Sequence, residues 1–416
     1  SLHNSFGYFD IELPEIENGA AIISAQVNLF ANIHESVGTS SHQFNLHALT
    51  SSFNEKYLGW NNKPSHENRI TDYMTYTPSK SGVWYQFDAT NIVQKWYSGT
   101  SAQYGFCIKG NDTNSGIYKA RFVSDNFWNA DTNSGAYPCM TVIYRNTAGL
   151  EDYWSYTSMP AGRGGNLSVN NYNGNLVATH PILGIDGTLM PIDIKLTYNS
   201  VYGNIAPGKS YAGLGWLLNY DISVSYSGNT AALGYDYFYT DSDGTKHYFH
   251  KQSDGSRKDE DGLGLSLVVS SDTGYTITDK SGISLIFNTS GWLTKIKNPN
   301  GNSVNIARDS SNRISAITDG ADRTYYVSYT GNKISQIVSP DGKSTSFSYS
   351  DENLVKINYY NNSEFLGATV FTYLHGYLYQ TKTIQSDGTT FNNEYVTATH
   401  SDLGKVINLK YEKAHN

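Results

Sequence analysis

Charge is scarce in this chain. Of 416 residues only 16% are Asp, Glu, Lys or Arg, and methionine (4), proline (10) and cysteine (2) are few. With so few charged helix formers and so much Gly, Asn, Ser and Thr, short strands joined by turns are expected rather than long helices. The 29 basic residues are outnumbered by 37 acidic ones, leaving a net charge of −8. They form no cluster, which argues against nucleic acid or an anionic membrane as partner. No run approaches the roughly 20 apolar residues of a membrane-spanning helix. The opening Ser1-Leu2-His3 carries no leader pattern, and strand-like alternation starts at once with Phe9, Ile11 and Leu13. The chain therefore reads as a piece of something longer. Two cysteines allow at most one intramolecular disulfide and match no metal motif. A Cys107–Cys139 bridge and a pair of buried free thiols are both open.

What is plentiful is aromatic: 34 tyrosines, 16 phenylalanines and 7 tryptophans supply enough apolar surface for sizeable cores. To about Tyr144 the chain shows period-2 segments. Ile23, Ala25, Val27, Leu29, Ala31 and Ile33 alternate with mostly polar residues, and Tyr104/Phe106/Ile108 and Met140/Val142/Tyr144 repeat the pattern. One helix is expected, from Asp88 or Thr90 as cap to Trp96, with Ile92, Val93 and Trp96 as its apolar stripe. Strands, long Ser/Asn/Gly loops and one helix imply a jelly-roll or similar β-sandwich over residues 1–145.

The same residues carry a resemblance. Phe87-Asp88-Ala89-Thr90, Gln94-Lys95-Trp96-Tyr97, Tyr104-Gly105-Phe106, the stretch from Pro138 to Tyr144 and Trp60-Asn61-Asn62-Lys63-Pro64 are similar to the DNRLRE-type domain. The resemblance implies a secreted jelly-roll module related to carbohydrate-binding modules, with its N-terminal strands missing here. Residues 146–175 read as a linker, since Pro160-Ala161-Gly162-Arg163-Gly164-Gly165 is poor in structure-forming residues. Trp154 and Tyr156 either pin that passage or pack as ordinary loop residues.

Beyond it lies a repeat. The apolar pairs Leu293/Ile296, Ile314/Ile317, Ile334/Ile337 and Leu354/Ile357 begin at residues 293, 314, 334 and 354, steps of 21, 20 and 20. Asn300-Gly301, Asp319-Gly320 and Asp341-Gly342 follow successive copies and read as type I′ hairpin turns, with Gly301, Gly320 and Gly342 as structural residues. Each period is then two strands and two turns. The pairs are three apart, so either both faces of that strand are covered or each copy carries a bulge. A recurring bulge bends a sheet one way and yields a coiling antiparallel ribbon.

This repeat resembles the Rhs/YD-repeat family over roughly residues 165–416. The Tyr-Asp signature has decayed to Phe287-Asn288, Arg308-Asp309, Tyr329-Thr330 and Tyr349-Ser350-Asp351, but a lead-in from Pro191 to Ser200, then Gly213-Leu214-Gly215-Trp216 and the stretch from Asp243 to Phe249, precedes it in the family's order. The resemblance divides this half into a lead-in and connector region, 176–280, and repeats, 281–416. It implies a surface or secreted protein of the polymorphic-toxin type whose repeats wind into a hollow β-shell around a C-terminal effector. With so few copies the shell is incomplete, and regularity fades after Tyr360.

No HExxH, GxSxG or phosphate-binding glycine loop occurs. His247 and His250, three apart in a strand, face opposite sides. Asp241-Ser242-Asp243-Gly244 resembles part of a calcium loop but lacks the downstream bidentate Glu, so it reads as a plain turn. Asp259-Glu260-Asp261 reads as a solvated loop tip. Trp60, Trp84 and Tyr85 are the carbohydrate-binding candidates, because an aromatic face packs on a pyranose ring; adjacent Trp84 and Tyr85 cannot share one platform.

The expectation is an all-β, non-enzymatic extracellular scaffold with no cofactor and no metal: a jelly-roll sandwich followed by a curved antiparallel hairpin sheet forming part of a β-shell. Its partners would be the remainder of the same polypeptide and an enclosed effector. The alternative is a cell-surface adhesin or glycan-binding protein using the jelly-roll as its carbohydrate-binding module.

Overall fold

The computed structural model describes residues 6–13, 16, 20–31, 42–76, 83–110, 122–123, 138–187, 189–202, 211–226, 235–400 and 405–413. The Ser1-Leu2-His3 opening and Ile33 of the first alternating segment lie outside them. The protein is all-β. It forms two compact units, Ser1–Pro14 with Ala20–Arg145, and Glu15–Gly19 with Asn146–Asn416.

In the first unit two antiparallel sheets enclose one core. One has the order Phe6–Phe9, Phe106–Gly110, His42–Ala48, Asp72–Tyr76; the other has Val83–Asp88, Ala21–Ala31, Cys139–Arg145. Neighbours distant in sequence make this a crossed sandwich rather than a meander. Ala25, Val27, Leu29, Ala31 and Phe87 of one sheet and Leu46, Ala48 and Phe106 of the other are all buried, each large side chain worth about 1.5–3 kcal/mol of transfer free energy. The alternation holds from Ala25 onward. Ile23 breaks it, because a register shift between Ile22 and Ser24 turns Ile22 inward and leaves Ile23 half exposed. The helix Thr90–Tyr97 buries the expected stripe, Ile92, Val93 and Trp96. Its N-cap, however, is Ala89; Asp88 accepts from the Thr90 backbone N–H at 2.9 Å one step earlier. The disulfide is not formed. Cys107 is buried in the four-stranded sheet and Cys139 is exposed on the three-stranded one, both free.

The second unit begins where a linker was expected, yet 146–175 contains the strands Tyr156–Pro160 and Asn166–Asn170. Trp154 secures this passage by donating from Nε1 to the Asn146 carbonyl at 2.6 Å and stacking on Tyr172. The two strands join Leu176–Gly184, Asp193–Asn199 and Trp216–Leu218 in a five-stranded sheet. From Ser223–Tyr226 to Val406–Lys413 the chain then runs through an eighteen-stranded sheet, counted over the described residues, in which every strand pairs with the next in sequence. The meander starts well before the sequence repeat is legible and persists past Tyr360, where the repeat fades.

The bulge alternative is the one the ribbon adopts. Register shifts leave Thr294, Ser315, Ser335 and Val355 each as the extra residue after the first member of an apolar pair. One inserted residue restores parity, so Ile314 and Ile317, Ile334 and Ile337, and Leu354 and Ile357 all point into the core. The ribbon comes back on itself ahead of the first of these bulges. Val224 N–H donates to the Gly291 carbonyl at 2.8 Å, so the first strand touches the turn that follows the seventh.

The turns differ from the type I′ expectation. At residues 298–302, 309–313, 319–323 and 339–343 the first N–H donates to the fifth carbonyl, and the fourth N–H donates to the first carbonyl. Only the fourth residue has positive φ (Gly301, Asn312, Asp322, Gly342). This is a type I turn followed by one left-handed residue. In three of these loops an Asn or Asp at the first position stabilises it: the side-chain oxygens of Asn298, Asp309 and Asp319 accept the fifth N–H at 3.0, 3.0 and 2.9 Å. Gly301 and Gly342 thus hold the left-handed position, whereas Gly320 does not; it is needed because the Leu189 carbonyl would lie 2.3 Å from a Cβ there. Type I′ turns do occur, at Asn362-Ser363 and His375-Gly376, where both residues have positive φ.

The ribbon's inner face and the five-stranded sheet share one core: Leu176, Ile194, Leu196 and Trp216 pack with Ile317, Ile337, Leu354 and Ile357. The segment around the Gly213-Leu214-Gly215-Trp216 motif is stitched to the ribbon at a bulge, at a turn and at a tyrosine hydroxyl. Ile334 N–H donates to the Tyr211 carbonyl, Leu214 N–H to the Glu352 carbonyl, and Trp216 Nε1 to the Tyr373 hydroxyl, at 2.8, 2.9 and 2.7 Å.

Candidate functional site

Two surfaces of the first unit carry exposed aromatics, and one buried charge cluster lies in the second unit. On the outer face of the four-stranded sheet the Trp60-Asn61-Asn62-Lys63-Pro64 segment is held by its own asparagine: Asn62 accepts from Gly59 N–H and donates to the Tyr57 carbonyl, both at 2.5 Å. This fixes a short 3-10 turn with Trp60 62% exposed. Lys63 Nζ sits 3.8 Å from the Trp60 ring centroid and 5.1 Å from that of Phe6. Phe6 lies 5.8 Å from Trp60 and continues to Tyr8 and Phe53. The result is an aromatic patch with an ammonium group on it, held by cation–π attraction.

Trp84 is elsewhere. It projects from the outer face of the three-stranded sheet, 41% exposed and edge-on to Phe30 at 5.2 Å. Tyr85 points the other way, toward Tyr76 and Phe122. The three candidate aromatics therefore form no common platform: Trp60 and Trp84 stand on outer faces of different sheets, and Tyr85 faces inward. Beside Trp84 runs a polar row that sequence reading passed over. Gln86 Nε2 donates to Asn28 Oδ1 at 3.0 Å, and Asn28 Nδ2 to Thr141 Oγ1 at 3.4 Å. Its members are 58 and 113 residues apart, so no local pattern could join them; the available hint was the polar character of Gln26 and Asn28 between apolar neighbours.

In the second unit, Asp241-Ser242-Asp243-Gly244 is a turn, as its composition suggested. The Asp241 Oδ1 atom accepts from Asp243 and Thr245 N–H, both at 3.0 Å. Asp259-Glu260-Asp261 is not the solvated tip expected. His247, almost fully buried, lies between Asp261 Oδ2 at 2.6 Å from Nδ1 and Asp241 Oδ2 at 3.2 Å from Nε2. His250 pairs separately with Glu260. Burial disfavours a charged imidazole, but the hydrogen bonds and charges of Asp241 and Asp261 outweigh it and raise the His247 pKa well above its ordinary value. Burial, helped by Asp243, pushes Asp241 up to about 8, and burial likewise lifts Glu151 to about 7 and Glu260 to about 8.

This cluster fastens residues 146–151 to the ribbon. Asn146 Nδ2 donates to Asp261 at 3.0 Å, and Leu150 N–H to Asp243 at 2.9 Å. Gly149 lies so close that a Cβ would meet Asp243 and Thr245 at 2.2 Å. Among the described residues no group of three or more His, Cys, Asp or Glu is placed to hold a metal ion, and no helix is long and apolar enough to cross a membrane.

Residues 3–133 match carbohydrate-binding module family 96. Over 143 residues, 34% of this chain, the sequence is 29% identical to the tRNA nuclease WapA of Bacillus subtilis (strain 168) and equally to the tRNA(Glu)-specific nuclease WapA of Bacillus subtilis subsp. natto. The matched segment is only 5% of either protein. The crystal structure of TcdB2-TccC3-TEV aligns with 62% of this chain and 15% of its own at 12% identity and a TM-score of 0.25, too slight a likeness to carry an argument.

Proposed function

We propose that this chain is part of an extracellular, non-enzymatic scaffold whose ribbon forms the wall of an enclosure for an effector carried on the same polypeptide. The observation that carries this reading is the eighteen-stranded meander that returns on itself and carries a recurring bulge, with its inner face apolar and packed against the five-stranded sheet. A wall of this kind pairs nearly all its strand edges internally, which protects it from proteases and from edge-to-edge association. The Asp241–His247–Asp261 cluster supports a structural role, since it is buried and ties two segments together. The relatives named as nucleases extend far beyond the matched segment, which supports placing any enzymatic domain outside the part shared with this chain.

The test is protease protection. In the full-length protein, a domain following the ribbon stays intact at a protease concentration that degrades the same domain made alone; equal degradation refutes the enclosure.

A second reading is favoured by the match of residues 3–133 to a carbohydrate-binding family and by the exposed aromatics of the same unit: the first unit binds a cell-surface glycan, as an anchor or an adhesin. A glycan array probed with the whole chain tests it, and silence across the array removes it.

A further inference from the structure

The ribbon meets its own beginning at one short joint. Ser223 of the first strand bridges Trp292, with Val224 N–H donating to the Gly291 carbonyl at 2.8 Å and Leu293 N–H to the Ile222 carbonyl at 3.3 Å. Away from the joint, Ser223–Tyr226 is registered over its whole length with the second strand, and Leu293–Lys297 pairs with the strands on both its sides. Parting the joint therefore breaks no ladder. One side chain crosses it. On one side, Arg308 Nη1 donates to Asp221 Oδ1 at 3.0 Å and Nη2 to the Tyr220 carbonyl at 3.5 Å. On the other, Nη1 donates to the Asn312 carbonyl at 2.7 Å and Nε to the Leu293 carbonyl at 3.1 Å. The guanidinium carbon also lies 4.9 Å from the Trp292 ring centroid. The sequence departs from its own repeat at this position. Tyr329, Tyr349 and Tyr373 occupy it in later copies, each using its single O–H on a bulge carbonyl. Arginine serves the same carbonyl with one N–H and keeps four for other acceptors. Tyrosine gives way to arginine in the copy that faces the ribbon's first strand.

We propose that this joint is a latch closed by Arg308, and that the wall opens there with its strands still paired. The latch draws on the reading of the ribbon as a wall only for what its opening releases. Ile222, Val224 and Leu293 are buried behind the joint, so closed is the resting state. Its hold is concentrated in one ion pair. The side chains of Arg308 and Asp221 are 5% and 10% exposed, and removing either partner leaves the other charge buried and unmatched. A ladder, by contrast, spreads its hold over many bonds. Asp221 is also placed to receive a signal. It follows closely on Trp216–Leu218 of the five-stranded sheet, and its N–H donates to the Leu218 carbonyl at 2.7 Å. A displacement of that sheet against the ribbon is thereby transmitted to the carboxylate that Arg308 grips.

The experiment is hydrogen exchange of the whole chain, resolved to single residues by mass spectrometry, on Arg308→Tyr, Asp221→Asn and Tyr349→Phe. Along the first strand successive N–H groups point to opposite sides, so Val224 reports the joint and Ser225 reports the ladder. Arg308→Tyr installs the residue of the later copies, which keeps a donor for the Leu293 carbonyl and loses the clasp; Asp221→Asn loses the clasp from the other side. Both are expected to speed exchange at Val224 and Leu293 on the order of a hundred-fold while Ser225 stays slow. Tyr349→Phe, which alters a bulge away from the joint, leaves Val224 as it was. Ser223 and Trp292 form a closely spaced pair without direct hydrogen bonds between them. Adding Ser223→Cys and Trp292→Cys to Arg308→Tyr and oxidising the pair should restore slow exchange. Unchanged exchange at Val224 and Leu293 in both clasp variants overturns the latch. Equal acceleration at Ser225 also overturns it, because the strand then unfolds instead of the joint opening. Neither outcome bears on whether an effector is enclosed, which protease protection reads separately.

Discussion

The hydroxyl of Tyr349 donates to the backbone carbonyl of Ile334 at 2.9 Å. Ile334 is the residue before the extra one in its bulge, where the ladder is interrupted. The same relation links Tyr329 to Ile314 and Tyr373 to Leu354, at 2.9 and 2.8 Å, and in the copy before these Arg308 Nε donates to the Leu293 carbonyl at 3.1 Å. Each bulge thus exposes a carbonyl that the tyrosine or arginine of the next copy satisfies. The aromatic position of the repeat is tied to the bulge one copy back.

Tyr349→Phe keeps the ring and removes the donor, leaving the Ile334 carbonyl unsatisfied in a half-buried place. A loss of about 1–2 kcal/mol is expected. Tyr326→Phe, on a residue 60% exposed, should change stability by less than about 0.5 kcal/mol. Urea unfolding followed by tryptophan fluorescence compares them; equal midpoints for the two variants would falsify the link.

The turn glycines should separate. Gly301→Ala meets no atom within 4 Å but forces a Cβ into φ +89°, costing about 1–2 kcal/mol. Gly320→Ala has ordinary φ yet drives a methyl to 2.3 Å from the Leu189 carbonyl, so backbone must move and the cost should be larger. Thermal melts of both variants rank them; the reverse order would mean the backbone at Leu189 yields to the added methyl.

Acid should stabilise the second unit. His247, Asp241, Glu151 and Glu260 all bind protons more tightly folded than in their ordinary state. For groups whose pKa is raised by folding, the contribution is complete below the unfolded pKa and is lost as pH climbs through the folded one. The carboxyls therefore set a window from about 4.5 to about 8, across which the unfolding midpoint falls. Glu151→Gln removes one of these groups and should flatten the profile; a midpoint that rises from pH 5 to pH 8 contradicts the arrangement.

Reduction should not change the mass or mobility of the protein, because both cysteines are thiols. Cys139 is exposed and should alkylate promptly in the native state. Burial pushes the Cys107 thiol up to about 11, so it should react only on unfolding. Two equally fast labels by mass spectrometry would place Cys107 at the surface.

Much of the ribbon was legible because its information is local. A pair of apolar residues three apart, as at Ile334 and Ile337, can face one side of a strand only with an inserted residue between them, so spacing alone narrowed the geometry to a bulge or a doubly covered strand. The turns were half legible. Gly and Asn mark a turn, but Asp319-Gly320 looks identical to Asp341-Gly342 in composition while occupying the first two positions of its loop rather than the third and fourth. The site residues were least legible. Trp60, Trp84 and Tyr85 could be picked out by side-chain type, but which face each one presents depends on strand pairing across the sandwich.

Composition, alternation and the twenty-residue period were enough by themselves to make this an all-β chain ending in a hairpin ribbon, because strand parity and turn chemistry act over a few bonds. Only the tertiary structure decided that His247 is locked between Asp241 and Asp261, that the supposed linker holds a two-stranded hairpin, and that Gln86, Asn28 and Thr141 form one row beside Trp84. Those outcomes depend on burial and on contacts between residues far apart in the chain, and neither quantity is a property of any short stretch of sequence.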